Sequence, residues 1–289
     1  MNILIIGASG MIGHYLFSYL SLKKKYQIYG FVRNKKVLKD NKFLFNHKNI
    51  LEVEILRNNN LKKIILDLQP EIIINCSGIV KQNPLIRNVP LSIELNSIFP
   101  HNLNLICKEI DCRLIQLSTD CVFSGIKGNY KETDLPDPND IYGRSKLLGE
   151  LDYKNCITIR TSFIGHELVN NWGLLSWFLS QKNKVKGFKN AIYSGLTTLE
   201  ISKVINNFII TNNSLNGLYH ISSNPIDKFS LLRIINQTYG KNLNIEPDYL
   251  SKSDKSLNSL KFQNETGYKP IEWEDAIREL KNYQDLNHV

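Results

Sequence analysis

The stretch that most constrains this 289-residue chain lies at its start, where the apolar run Ile3-Leu4-Ile5-Ile6 passes without a spacer into Gly7-Ala8-Ser9-Gly10-Met11-Ile12-Gly13. An amphipathic segment carrying Leu16, Phe17 and Leu20 follows at once. A strand that turns on glycines straight into a helix is the opening of a βαβ unit, and the later sequence repeats its rhythm. Short aliphatic and β-branched runs recur at Gln27 to Val32, Ile50 to Ile55, Glu71 to Cys76, Arg113 to Leu117 and Ile157 to Arg160, with longer helical stretches between them. Several of these runs are almost continuously apolar instead of alternating, the pattern of parallel strands covered by helices on both faces. The expected fold is therefore α/β: a Rossmann-type doubly wound parallel sheet over residues 1–160, followed by a smaller, mainly helical region over 161–289. Helical patterns at Leu174 to Leu179, Leu199 to Ile210 and Leu231 to Thr238 mark the second region, and residues 218–221 suit a last strand returning to the main sheet.

Composition narrows the class. Hydrophobic residues make up 42% and charged residues 22%, which excludes a disordered or fibrous chain. No basic leader precedes Ile3 and no apolar run approaches about 18 residues, so neither export nor a membrane span is expected. The five cysteines, at 76, 107, 112, 121 and 156, are odd in number and never spaced as C-x-x-C; they read as reduced thiols of a cytoplasmic protein, with no metal site. The net charge of +9 suits an anionic ligand, but no segment concentrates it into a basic arm, so nucleic acid is not an expected partner. Lys23-Lys24-Lys25 falls where the first helix should end and complements its dipole.

The glycine loop has a chemical meaning in its context. Gly7, Ser9, Gly10, Met11 and Ile12 stand where the backbone approaches a dinucleotide pyrophosphate at a helix N-terminus. About twenty residues on, the second strand run ends at Arg33, where a carboxylate would select NAD by its ribose hydroxyls. A guanidinium there pairs with an adenosine 2′-phosphate, so NADPH is the expected cofactor.

Ser118-Thr119-Asp120-Cys121-Val122-Phe123 follows a buried strand run, and Tyr142 comes 23 residues after Thr119 in Tyr142-Gly143-Arg144-Ser145-Lys146. Tyr142 and Lys146 are at i and i+4 and share a helix face. A phenol titrates near 10, and a neighbouring ammonium is expected to lower that value towards neutrality. Reducing a carbonyl builds charge on its oxygen, which needs a proton donor and a second hydrogen-bond donor; Tyr142 and Thr119 fit those roles, and Lys146 would also reach the nicotinamide ribose.

With these residues in place, the chain resembles the extended short-chain dehydrogenase/reductases, and within them the dTDP-4-dehydrorhamnose reductase family of nucleotide-sugar enzymes. The likeness also rests on Asn75-Cys76-Ser77-Gly78, Asn96, Tyr130-x-Glu132-x-Asp134-x-Pro136, Gly149-Glu150, Arg160-Thr161-Ser162 and Thr266-Gly267-Tyr268-x-Pro270. The resemblance implies catalytic roles for Thr119, Tyr142 and Lys146. It implies a cofactor lining by Cys76, Ser77 and Gly78, an acidic group near the adenine at Glu52, and a helix residue, Asn96, holding cofactor or active-site backbone. Asp120 and Cys121 would face the substrate, and Lys186, Phe188, Tyr193 and Ser194 are candidates for gripping its nucleotide and diphosphate.

The family commonly has Tyr where this chain has Cys121, which changes an aromatic wall into a small thiol; with no partnering base in the motif, a packed thiol is the expected state. Asp120 has no second acidic neighbour of the kind sugar dehydratases use, and Arg33 argues against an epimerase retaining NAD. The expected reaction is reduction of the C4 ketone of a nucleoside-diphosphate 4-keto-6-deoxy sugar, dTDP-linked and dehydrorhamnose-like. A UDP-2-acetamido-2,6-dideoxy-4-ketohexose is the alternative substrate, a non-catalytic NADP-binding regulatory subunit the alternative class, and a homodimer an open assembly.

Overall fold

A computed structural model describes residues 1–287 of the chain. Its centre is a seven-stranded parallel sheet built from β1 (Asn2–Ile6), β2 (Gln27–Val32), β3 (Ile50–Glu52), β4 (Ile72–Asn75), β5 (Arg113–Leu117), β6 (Cys156–Arg160) and a last strand, Gly217–His220. Their spatial order is Gly217–His220, β6, β5, β4, β1, β2, β3. The chain builds outward in one direction from β1 to β3, then crosses back to lay β4 on the other side of β1, pairing Ile6 with both Phe31 and Asn75. That reversal is the switch point at which the carboxyl ends of strands leave a crevice.

The near-continuous apolar runs are explained by burial on both faces. Ile3, Ile5, Ile72, Ile74, Ile115, Leu117, Ile157 and Ile159 enter one core, with Leu16, Phe17 and Leu20 of the first helix (Met11–Ser21). The alternate residues Leu4, Ile6, Ile73 and Leu114 enter a second core with Ile65, Leu103 and Cys107 from the covering helices on the opposite face. At ~1.5–3 kcal/mol per fully buried aliphatic side chain, these two layers dominate the favourable side of folding.

β3 stops at Glu52, short of the expected Ile55. Val53 still donates to Val32 O at 2.8 Å, but β2 ends there, and an edge strand with one neighbour cannot continue past it.

After β6 the chain forms more than helices. Val185–Phe188 pairs in parallel with Ile245–Asp248, and Ala191–Tyr193 lies between Ile226–Asp227 and Ser253–Asp254. Strands of two to four residues are too short to show a period-two pattern, which is why only the helices were legible there. Leu199 to Ile210 is a helix, Thr198–Val204, running into a wider π turn, Ile205–Ile209. Tyr15 of the first helix shares a core with Leu175, Phe178, Leu231, Ile235, Trp273 and Ile277, so the second region is seated directly on the first βαβ unit. Among the described residues no helix is long and apolar enough to cross a membrane.

Candidate active site

The glycine loop turns as its sequence requires. Gly7 has φ +84°, and its N–H and that of Ala8 both donate to Phe31 O at 3.0 Å. A side chain at Gly13 would overlap the Gly7 carbonyl, so the first helix lies closer to the turn than any other residue would permit. Gly10 is the N-cap and contributes no side-chain bond to the first turn, so the N–H groups of that turn remain available to an anion. Ser9 and Met11 are half-buried beside it, Ile12 is buried, and the segment reaching Gly173 comes against the Met11 side chain.

Arg33 stands exposed just past the end of β2. Glu52, at the end of β3, accepts the Lys35 backbone N–H at 2.7 Å and so clips the Arg33–Lys35 turn to the sheet edge. At the end of β4, Asn75 Oδ1 accepts both the N–H (3.1 Å) and the hydroxyl (2.6 Å) of Ser77, shaping the turn through Cys76 and Gly78. Burial pushes the Cys76 thiol up to about 12, against the opposing charge of Lys146. Asn96, buried in a π turn, accepts Ile79 N–H at 2.8 Å, donates to Ile79 O at 3.0 Å and to Ser145 Oγ at 3.0 Å. Its amide thus ties the loop after β4 to the helix Ile141–Leu148, which carries Tyr142 and Lys146.

That helix begins on Asp140, whose Oδ1 accepts Gly143 N–H at 2.8 Å and whose Oδ2 pairs with Lys81 at 2.7 Å. Burial works to raise the Asp140 pKa, yet the Gly143 amide and Lys81 hold it below the usual carboxylate range. Gly143 makes the approach to Thr119 possible: a Cβ there would overlap the Cys121 carbonyl oxygen and lie 2.8 Å from Pro138 Cβ.

Thr119 caps the short turn Asp120–Val122, its Oγ1 accepting Cys121 N–H at 3.1 Å and donating to Asp120 Oδ1 at 3.2 Å. Tyr142 is half-buried over this turn. Burial raises its pKa above the ordinary phenol value, the Cys121 and Asp120 charges add to the rise, and hydrogen bonding with Thr119 works the other way. This corrects the expectation of a phenol lowered by Lys146. The Lys146 ammonium is buried and donates to Leu117 O at 2.6 Å; burial brings its pKa down to about 8, with Glu150 and Cys76 opposing the fall. The two side chains share a helix face as their spacing requires, but the ammonium is held on the side of Cys76 and Gly78, and a protonated phenol is kept in reserve.

Asp120 is buried and pushed above the usual carboxylate range by desolvation; the charges of Lys255 and Lys228 oppose the shift. Cys121 is pushed up to about 12 by burial and by Asp120, a protonated thiol and not a nucleophile. Of the residues expected to grip the substrate, Lys186 and Phe188 lie on the exposed side of Val185–Phe188. Lys186 is 3.7 Å from Asp248. Tyr193 is buried against Trp273, ring centroids 5.6 Å apart, and Ser194 Oγ accepts Leu257 N–H at 2.9 Å, which anchors a loop. Lys228, Lys255 and Lys81, whose charges reach Asp120, were absent from the sequence reading; isolated lysines on separate loops carry no spacing signal.

The chain matches known proteins over most of its length. The RmlD substrate binding domain family matches residues 1–284. The spore coat polysaccharide biosynthesis protein SpsK of Bacillus subtilis is 27% identical over 73% of this chain and 78% of its own. The dTDP-4-dehydrorhamnose reductase of Aggregatibacter actinomycetemcomitans is 23% identical over 98% and 99%. The crystal structure of dTDP-4-dehydrorhamnose reductase from Bacillus anthracis in complex with NADP superposes with a TM-score of 0.80 at 23% identity, covering 98% of this chain and 99% of that one, which shows the shared fold. The chain belongs to the RmlD substrate binding domain family.

Proposed function

We propose that this chain reduces the C4 ketone of a nucleoside-diphosphate 4-keto-6-deoxy sugar with NADPH, in the assembly of deoxysugars for surface polysaccharides. The observation that carries the reading is the convergence of Thr119, Tyr142 and Lys146 at the carboxyl end of β5, beside the turn that ends β4. The residues fit the cofactor: the glycine-lined turn leaves free N–H groups at the first helix, and Gly78 leaves open the space beside Lys146, whose Nζ would lie 4.0 Å from a Cβ placed there. Gly7, Ser9, Gly10, Met11 and Ile12 would hold the pyrophosphate, Arg33 the 2′-phosphate, Cys76, Ser77 and Gly78 the nicotinamide side, and Lys146 the ribose. Glu52 would act by fixing the Arg33 turn. When bound, NADPH supplies the hydride.

Tyr142 holds the proton that the reduced oxygen needs. Its raised pKa keeps it loaded at neutral pH, and Thr119 supplies the second hydrogen bond. Asp120 and Cys121 line the sugar side, and Lys228 and Lys255, whose charges reach Asp120, would attract the diphosphate. Lys186 and Phe188 remain candidates for the nucleotide. A cytoplasmic setting accords with the five free cysteines. For a homodimer, the supporting feature is the exposed apolar set Ile98, Leu105 and Leu148 around His101, which bonds Leu148 O at 2.8 Å; light scattering checks it.

The deciding experiment mixes enzyme and NADPH with a dTDP-linked 4-keto-6-deoxyhexose or a UDP-linked 2-acetamido-4-ketohexose, beside a Tyr142→Phe control. Loss of nicotinamide absorbance with the dTDP-linked sugar, absent in the control, is expected. Turnover of the UDP-linked sugar alone replaces the substrate; NADPH binding without turnover of either points to the regulatory subunit.

A further inference from the structure

Two successive residues at the end of β5 are held by the catalytic helix and by the segment that leaves it. Leu117 O accepts from Lys146 at 2.6 Å, and Ser118 Oγ donates to Glu150 Oε1 at 2.6 Å. Tyr142 and Lys146 are one turn apart on the helix, and Glu150 follows two residues after its last residue, Leu148, so both the helix and the segment leaving it are tied to the strand end. Glu150 is the anchor with the most partners. Arg160 grips it in a fork, Nε to Oε1 at 2.8 Å and Nη2 to Oε2 at 2.7 Å, with the guanidinium almost fully buried.

Arg160 is itself locked. Its Nη1 lies 3.4 Å from His220 Nε2, and His220 Nδ1 lies 2.9 Å from Tyr130 O, an acceptor only, so Nδ1 carries the proton and Nε2 accepts from the guanidinium. Arg160 Cζ sits 5.2 Å over the Phe123 ring, which stacks on Tyr130 at 4.1 Å. Glu132 accepts His220 N–H at 2.8 Å. Segments far apart in sequence thereby close one buried network immediately behind the Thr119 turn.

We propose that Glu150 is the positioning residue of this site: it sets the strand end carrying Thr119 against the catalytic helix, and its negative charge favours the charged form of Lys146. The inference rests on the reading that Tyr142 and Lys146 are the reacting pair. Two ionisable groups act on Lys146, Glu150 from beyond its own helix and Cys76 from the end of β4, and the thiol is neutral with a pKa of about 12. Glu150 therefore carries the negative charge of the two, shared with the Arg160 guanidinium in its fork. Burial already lowers Lys146, so loss of that charge lowers it further.

The test follows Lys146 directly and needs no sugar. In protein labelled with 15N-lysine, the Nζ resonance is assigned by its loss in Lys146→Met and titrated in three variants. Glu150→Gln keeps the acceptor for Ser118 but removes the charge, and should lower the Lys146 midpoint by about one pH unit or more. Glu150→Asp keeps the charge a methylene further away and should give a smaller shift in the same direction; it carries the test where the Gln variant, leaving Arg160 without a counter-charge, does not fold. Ser118→Ala should leave the midpoint in place. In turnover, Glu150→Gln should move the pH profile with the midpoint and lower kcat at pH 7 about tenfold with little change in KM. A midpoint unmoved in both Glu150 variants overturns the proposal. Should neither ketosugar be reduced while the midpoint falls, the substrate assignment fails and the role of Glu150 in holding the charge stands.

Discussion

Gly143→Ala separates the geometry of the site from its stability. The added Cβ would overlap the Cys121 carbonyl oxygen and lie 2.8 Å from Pro138 Cβ, whereas carbon atoms settle at about 3.5–4.0 Å. The helix must therefore back away from the Thr119 turn by about 1 Å, taking Tyr142 and Lys146 with it while Thr119 stays on β5. A displacement of about that size costs on the order of 100-fold in rate, equivalent to ~2.7 kcal/mol of barrier. Stability responds differently, because Ala gains ~1 kcal/mol of helix propensity over Gly and overpacking costs ~1–3 kcal/mol, leaving a net loss of at most ~2 kcal/mol. The assay pairs kcat from NADPH consumption with NADPH affinity from fluorescence and with thermal unfolding. The expected result is a kcat lowered about 100-fold, affinity within about threefold and a Tm lower by a few degrees. A variant with kcat within about threefold of the parent would refute the argument that glycine at 143 sets the distance between Tyr142 and Thr119.

Lys146→Met should stabilise the fold while abolishing turnover. With its folded pKa near 8 against an ordinary 10.5, the protonated lysine costs about 3 kcal/mol below pH 8, and the cost fades as pH rises from 8 to 10.5. Urea unfolding at pH 7 and pH 10 should show the Met variant ahead at the first and level at the second; parity at pH 7 would contradict the burial argument. Acid stability is set by His14 and His166, lowered to about 4 by burial, and His220, lowered to about 3. The unfolded chain binds up to three more protons than the native state between pH 6.5 and 4, so stability should fall by up to about 4 kcal/mol per pH unit as pH drops, offset in part by Asp120 and Glu200, whose carboxyls are raised by burial. Urea midpoints that do not change between pH 7 and 5 would exclude this. Arg33→Ala should weaken NADPH binding about 10- to 100-fold and leave NADH unchanged in a fluorescence titration; equal losses for both would remove Arg33 from the 2′-phosphate.

Much of the fold was legible because it is local. β2 and β5 run over the residues their runs marked, since strands buried on both faces are largely apolar; the buried polar exceptions in β5, Arg113 and Gln116, are hydrogen-bonded to Leu215 O and the Asn75 amide. The glycine turn was legible for the same reason: Gly7 takes φ +84° and Gly13 is limited by the Gly7 carbonyl six residues before it, although the Cys76–Ser77 backbone, which closes on Gly7, comes from a distant segment. The short strands of the second region were not, because a pairing such as Val185–Phe188 with Ile245–Asp248 is decided by a partner about sixty residues away. Ser194 shows the same limit, its hydroxyl committed to the Leu257 amide.

The sequence by itself determined the order of the βαβ units, the glycine-lined turn and the placing of Tyr142 and Lys146 on one helix face, because periodicity and backbone sterics act over a few residues. Only the tertiary structure decided the charge states. Burial raises Tyr142 where a neighbouring cation was expected to lower it, and brings Lys146 down while turning its ammonium to Leu117 O. It also joined Ser118, Glu150, Arg160 and His220 behind the site and set Lys228 and Lys255 within electrostatic reach of Asp120. A pKa and a salt bridge depend on desolvation and distance, quantities that exist only once distant segments have been folded together.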